Sequence, residues 1–347
     1  MVRYLFPFPL LASIPILFYT VSPMATLTTV GLLLAALIGA EFASARGRVH
    51  STISERLRHR LLLHVYIPLQ LGVTIWGIDV AKDLPGMGLA SLILSEGVVA
   101  GVFGMLAAHE MIHSRSSAER MLGTVMLSGL MYRHFRIAHV HGHHRWAATE
   151  IDSATARLGE SFYAFLPRTV SGQMREAFCF EQKRTAGQQH AIFFNRVVQD
   201  VALMAFILGV IALVFGWLGA IFFIAQSVVA IIVLEMFNYI AHYGLKRRRL
   251  SETRWERLDD RHSWNSSNVV ANLVIFNMGR HSFHHRKPVT SYESLQFLQT
   301  APELPFGYAA SILLALIPPL WRQVMDPRVR RLSVDIHQDV LPPLLSA

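Results

Sequence analysis

The chain has 347 residues, 52% of them hydrophobic and 16% charged, with mean hydropathy +0.37, net charge +9 and a pI near 10.0. So apolar a composition excludes an ordinary soluble domain and points to a membrane protein, and the positive charge reads as basic cytoplasmic loops because no basic segment interleaves with stacking aromatics as nucleic-acid binding requires. The single cysteine, Cys179, excludes a disulfide framework, a zinc ribbon and a four-cysteine iron–sulfur or rubredoxin-type centre within the chain.

A helix needs about 20 apolar residues to cross the hydrocarbon. Six runs are read as spans: Tyr4–Val21, Met24–Ala43, Leu61–Val80, Gly86–Ala108, Val201–Phe222 and Ile224–His242. A tight turn at Ser22 and Pro23 joins the first two, and the last two are nearly continuous, with Gly216 and Gly219 marking the turn. The first run leads into the second without a small-residue cleavage site, so it reads as a helix and not as a signal peptide. The stretch ARGRVHSTISERLRHR at 45–60 carries five arginines and one glutamate, and Lys246, Arg247, Arg248 and Arg249 follow the sixth span. The alternate loops are short, and AKDLP at 81–85 has one lysine and one aspartate. The positive-inside rule then puts both termini and every histidine cluster on the cytoplasmic side of a plasma membrane. The expectation is an all-α integral membrane protein: one domain over 1–347, six transmembrane helices, and a histidine-rich cytoplasmic cap from 109–200 and 243–347. MLGTVMLSGLMY at 121–132 is too short to cross and reads as a helix against the membrane face. ASILLALIPPLW at 310–321 reads as a re-entrant or interfacial segment with Trp321 near the headgroups. Gly97, Gly101 and Gly104 read as close helix packing in preference to room for a substrate.

Nine of the 17 histidines fall in three short windows: HEMIH at 109–113, HVHGHH at 139–144 and HSFHH at 281–285. On a helix, His109 and His113 share one face and can bind one metal ion. His139 and His143 repeat the spacing with His144 beside them, and His281 pairs with His284 and His285 at three and four residues. His141 alternates away from that face. His242, in NYIAHYGL at the end of the sixth span, reads alone as a capping histidine and together with the clusters as a ligand. The set His109, His113, His139, His143, His144, His242, His281, His284 and His285 is too large for one ion and suits two. Imidazole is favoured by iron, zinc, copper and nickel alike, so residue type does not choose the metal. The bland alternative for the clusters is a solvated or pH-sensing surface. His50, His59, His64, His190 and His337 read as structural, and Tyr132, Tyr239 and Tyr243 as core or interfacial. His134 and His262 read as outer partners that orient ligands by hydrogen bonding.

The series HEMIH, HVHGHH, NYIAHYGL and GRHSFHH resembles the histidine boxes of the membrane-bound alkane hydroxylases and xylene-type monooxygenases, distant relatives of the fatty acid desaturases. AATEIDSATAR, SWNSSNVVANL and LPFGYAASILLALIPPLWRQVMDPRV extend the resemblance over nearly the whole chain. It implies a cap holding two irons on the same nine histidines. It also implies O2-dependent hydroxylation of a terminal or benzylic methyl group, with electrons from a rubredoxin-type protein and its NAD(P)H-dependent reductase. One cysteine and no G-x-G-x-x-G agree with electrons arriving from another protein. The chain departs from the family pattern at Ala241, where Glu is usual, at Ser267, where Asn is usual, and at Glu150-Ile151-Asp152, where Pro-Glu-Asp is usual. Asp152 therefore joins the outer partners, and the departures bear on which substrate is taken. A desaturase or lipid hydroxylase would share the histidine logic. A metal transporter or sensor is the reading from another class, but transporters place ligands near the bilayer midplane and not at helix ends.

Overall fold

The computed structural model describes residues 4–43, 53–84 and 86–338, so the basic stretch around His50 and the side chain of His337 lie outside the described residues. The chain opens with a short helix, α1 (Pro7–Thr20). Ser22 caps the turn that follows by accepting from the Ala25 amide at 3.2 Å, and this launches α2 (Leu27–Ala43). Then come α3 (Ile53–Ala81) and α4 (Met87–Ile112). The second half of the chain is organised by α5 (Ser117–Gly129), α6 (Phe162–Arg184) and the 47-residue α7 (Arg196–His242).

Among the described residues, four helices are long and apolar enough to cross a membrane: Pro23–Ala43, His59–Ala81, Met87–Ile112 and Arg196–His242. The expected first span is the 14-residue α1, about 21 Å of helix against a hydrocarbon core of about 30 Å. The expected fifth and sixth spans are the two legs of α7, parted at Gly216, whose φ of 75° and ψ of 179° only glycine adopts readily. Gly219 is helical and packs on Ile78.

The second leg of α7 lies directly on α4. A Cβ on Gly97 would fall 2.6 Å from Cβ of Val229, and one on Gly101 would fall 2.8 Å from Cα of Ala230. These glycines therefore bring two backbones together, as the packing reading expected. Gly101→Val should lower stability by about 1–3 kcal/mol through overpacking; an unshifted thermal unfolding curve in detergent would show that the helices tolerate separation.

The remaining elements cover the helix ends. α5 packs on the end of α4, with Gly123 against Met111 and Ala108, and leaves Met121 and Val125 exposed. Beyond α7 the chain turns at Gly244 (φ 70°) into a two-stranded antiparallel hairpin, β1 (Arg249–Ser251) with β2 (Arg254–Trp255), a small departure from the all-α expectation. α8 (Val269–Val274), α9 (His281–Arg286), α10 (Tyr308–Ala315) and α11 (Pro318–Gln338) complete the chain. Trp321, expected near the headgroups, is fully buried, its ring 5.6 Å from that of Tyr239 and 5.2 Å from that of Tyr243. Packing among three aromatic rings outweighs an interfacial position for its indole.

Candidate metal centre

Two π-helical turns set the histidine geometry. The first, Ala100–Gly104, interrupts α4 one turn before HEMIH. Such bulges re-aim the side chains that follow them. His109 and His113 then project to one side, their rings 4.9 Å apart, as an i, i+4 pair should. The second, Ala138–His143, holds most of HVHGHH. A π-helix lengthens the repeat from four residues towards five, so His139 and His144 align, their Nε2 atoms 3.0 Å apart. The ring of His143 stacks 5.2 Å from that of His139, but its donor atom joins His242, His281 and His285, so the two do not share one group as expected, because the segment is not α-helical.

HSFHH is split in the same way. On α9, His281 and His285 share a face, with Nε2 atoms 3.0 Å apart, while Nε2 of His284 lies 3.1 Å from that of His144. The approach to α9 passes through Phe276 and Asn277, both left-handed (φ 52° and 56°). Asn277 secures this bend by donating to Tyr4 Oη at 2.8 Å and to the carbonyl of Tyr292 at 2.9 Å. Left-handed backbone is costly for phenylalanine and is held here by those bonds.

The nine histidines form two groups, each with donor atoms within 4.8 Å of one another: His109, His113, His139, His144 and His284, and His143, His242, His281 and His285. The groups adjoin, the rings of His144 and His285 being 4.6 Å apart. In the smaller group the Nε2 atoms of His242, His281 and His285 make a triangle with edges of 3.2, 3.2 and 3.0 Å. Three imidazole nitrogens cannot satisfy one another in a triangle, since each carries either one N–H or one lone pair and can serve only one partner well. Nε2 of His113 and Nε2 of His143 are buried with no hydrogen-bond partner. Orphaned, converging nitrogens of this kind are explained by a cation between them. Donors about 2.1 Å from one ion at right angles lie about 3 Å apart, which fits these edges.

The electrostatics agree. Burial, reinforced by neighbouring imidazoles, pushes His139, His144, His281, His284 and His285 well below the usual histidine range, and His113 down to about 3. These rings are therefore neutral at neutral pH, the form that ligates metal.

Two ligand tautomers are fixed from outside. His143 donates Nδ1–H to Asp152 Oδ2 at 2.9 Å, which leaves Nε2 of His143 free to face the group. Asp152 also accepts from Thr155 Oγ1 at 2.6 Å and from the Ala154 amide at 3.1 Å. Burial pushes the Asp152 carboxyl up, but the His143 imidazole and the bonds from His143 and Thr155 outweigh it and hold it below the usual range. His242 donates Nδ1–H to the carbonyl of His262 at 3.0 Å. His262 thus reaches the centre through its main chain, while its ring accepts from the Asp259 amide at 3.0 Å and lies 3.2 Å from Glu256. His134 is a different case: its ring lies edge-on to Tyr132, and it bonds to none of the nine among the described residues.

The other residues singled out in the sequence sit apart. His141 stacks on Phe180 at 4.5 Å, His64 bonds to the carbonyl of Arg60, and His59 packs edge-on to Tyr4. Tyr239 and Tyr243 donate to the Glu160 carbonyl and to Asp326 as core residues. Ser267 donates its amide and hydroxyl to Glu303.

An apolar chamber of about 30 Å³ lies against His109, His139 and His281, lined also by Ala241, Asn238 and Met278. Asn238 is oriented by Glu235, a fully buried carboxylate that also accepts from Tyr132, Thr169 and Gln173. Sequence reasoning passed over Glu235, although an acidic residue inside an apolar span is itself a signal.

A family model described as fatty acid desaturase matches residues 86–313. Alkane 1-monooxygenase 2 of Pseudomonas aeruginosa is 41% identical over 277 residues, covering 78% of this chain and 74% of that protein. Alkane 1-monooxygenase of Ectopseudomonas oleovorans is 34% identical over 302 residues, covering 86% of this chain and 75% of that protein. The xylene/toluene monooxygenase hydroxylase component of Pseudomonas putida is 28% identical over 285 residues, covering 80% and 74%.

Proposed function

The chain belongs to the fatty acid desaturase family and, within it, to the alkane 1-monooxygenases, and from that premise we propose that it is a membrane di-iron monooxygenase converting a terminal or benzylic methyl group of a hydrophobic substrate to a primary alcohol. The observation that carries this reading is the pair of adjoining nitrogen-only groups at the end of an apolar chamber. His109, His113, His139, His144 and His284 would hold one iron, and His143, His242, His281 and His285 the other. Five and four donors leave positions open on six-coordinate ions, which a purely structural site would fill.

The irons, when bound, would supply the reductive activation of O2 needed to break an unactivated C–H bond. The balance is R–CH3 + O2 + 2 electrons + 2 protons giving R–CH2OH + H2O. The chain's own residues do the rest. The chamber walls hold the methyl group beside the histidines and exclude water. Asp152 and the His262 carbonyl keep the Nδ1 protons of His143 and His242 in place, so their Nε2 atoms stay available. Electrons come from a partner protein, which we assign as a rubredoxin-type donor with its NAD(P)H-dependent reductase. We assign six crossings to α1 to α4 and the two legs of α7, the 14-residue α1 crossing where the bilayer thins to meet it, with both termini and the histidines on the cytoplasmic side.

Turnover under 18O2 tests the reaction type. One labelled oxygen in the alcohol is expected. An alkene, or an alcohol that carries no 18O, would contradict monooxygenation.

A further inference from the structure

Two apolar cavities meet at one pair of rings. The chamber at the histidines has a volume of about 30 Å³, room for little more than the end of a chain, since one water-sized probe takes about 10–15 Å³. A second cavity of about 230 Å³ lies between α2, α4, α7 and α10, walled by residues such as Leu33, Val102 and Ile312. It reaches Leu313 and Leu316 on the outer face, which are 42% and 41% exposed. The one carboxylate among its described lining residues, Glu41, accepts from the Ala309 and Ala310 amides at the start of α10, at 2.5 and 3.0 Å. The larger cavity is therefore apolar and suited to an alkyl chain drawn from the bilayer.

Among the described residues, only Phe237 and Tyr308 line both cavities. Their rings stack with centroids 5.3 Å apart and planes 23° apart. Tyr308 is fixed: it is 3% exposed and donates to the carbonyl of Trp264 at 2.9 Å, and Trp264 in turn donates to the carbonyl of Tyr243 at 2.9 Å. Phe237 has no polar tether and is only partly buried. Of the two rings, it is the one that can turn aside.

Resting on the monooxygenase reading above, we propose that Phe237 is the specificity-determining residue: its ring parts the outer cavity from the reaction chamber and sets how broad an end group can pass. A straight alkyl chain, its body in the outer cavity, then slips its methyl end past Phe237 more readily than a ring or branched terminus does.

The test compares wild type, F237A and F237W, each loaded with iron and supplied with a rubredoxin and its reductase, on n-octane and p-xylene. F237A should raise the p-xylene to n-octane ratio of kcat/KM by about tenfold or more, the scale on which apolar pockets discriminate, and F237W should lower kcat/KM for n-octane by a similar factor. Ratios unchanged in both variants would overturn the assignment. A second readout needs no turnover. A photoactivatable alkyl diazirine should label Leu234 and Met278, at the inner chamber, relative to Leu33 and Ile312, at the outer cavity, more in F237A and less in F237W. Equal labelling in all three proteins overturns the partition. An iron-loaded wild type that oxidises neither substrate overturns the monooxygenase reading and leaves the labelling to decide the role of Phe237.

Discussion

Replacing His285 by alanine should abolish alcohol formation and leave about one iron per chain in place of about two. His285 belongs to the four-histidine group, where its Nε2 closes the triangle with His242 and His281. Removing it leaves three donors, while the five donors of the other group stay in place. The loss of affinity should exceed the roughly 10–100-fold that removal of an outer partner costs. His284→Ala should instead weaken the five-histidine group, which keeps four donors, and leave the four-histidine group intact, although the two residues are neighbours in sequence. His141→Ala is the control: the ring stacks on Phe180 outside both groups, so iron content and product should be retained. If His284→Ala and His285→Ala gave the same partial metal loss with product intact, the division into two groups would be wrong.

Asp152→Asn should weaken iron binding or turnover by roughly 10–100-fold, with the fold retained. The substitution keeps the shape of the side chain and removes its charge. Asp152 now accepts the Nδ1 proton of His143, and that bond dictates which nitrogen of His143 is free. An asparagine can present its amide N–H to Nδ1 instead, which would favour the tautomer carrying a proton on Nε2, where a ligand cannot have one. The effect should fall on the four-histidine group alone. Iron titration of the variant with metal quantification measures it. A variant that binds two irons with wild-type affinity and turns over normally would show that Asp152 serves the loop through Thr155 and Ala154 and not the ligand.

Much of this site was legible in the sequence, and its failures have identifiable causes. Eight of the nine histidines stood out as clusters because imidazole is rare in apolar chains, the lone His242 was joined to them, and the structure gathers all nine. Their partition was not legible. Spacing arguments assume 3.6 residues per turn, and the π-helical turn at Ala138–His143 replaces the pairing of His139 with His143 by that of His139 with His144. Asp152 was reached only through a resemblance, since nothing local distinguishes a buried carboxylate nine residues from its histidine. His262 was singled out for its ring and contributes its carbonyl. His134 was chosen by residue type and, among the described residues, bonds to none of the nine. The apolar runs located α2, α3 and α4, and Gly216 marked the break between the two legs of α7, but composition could not say that α1 stops at 14 residues. Phe237 and Tyr308 lie 71 positions apart, and only the fold brings their rings together.

The most direct measurement is metal content per chain, by elemental analysis of protein purified in mild detergent without added metal. The two histidine groups predict about two irons per chain. Zinc at one or two per chain, with iron still absent after anaerobic reconstitution with ferrous ion, would contradict the di-iron assignment and the oxygen chemistry built on it.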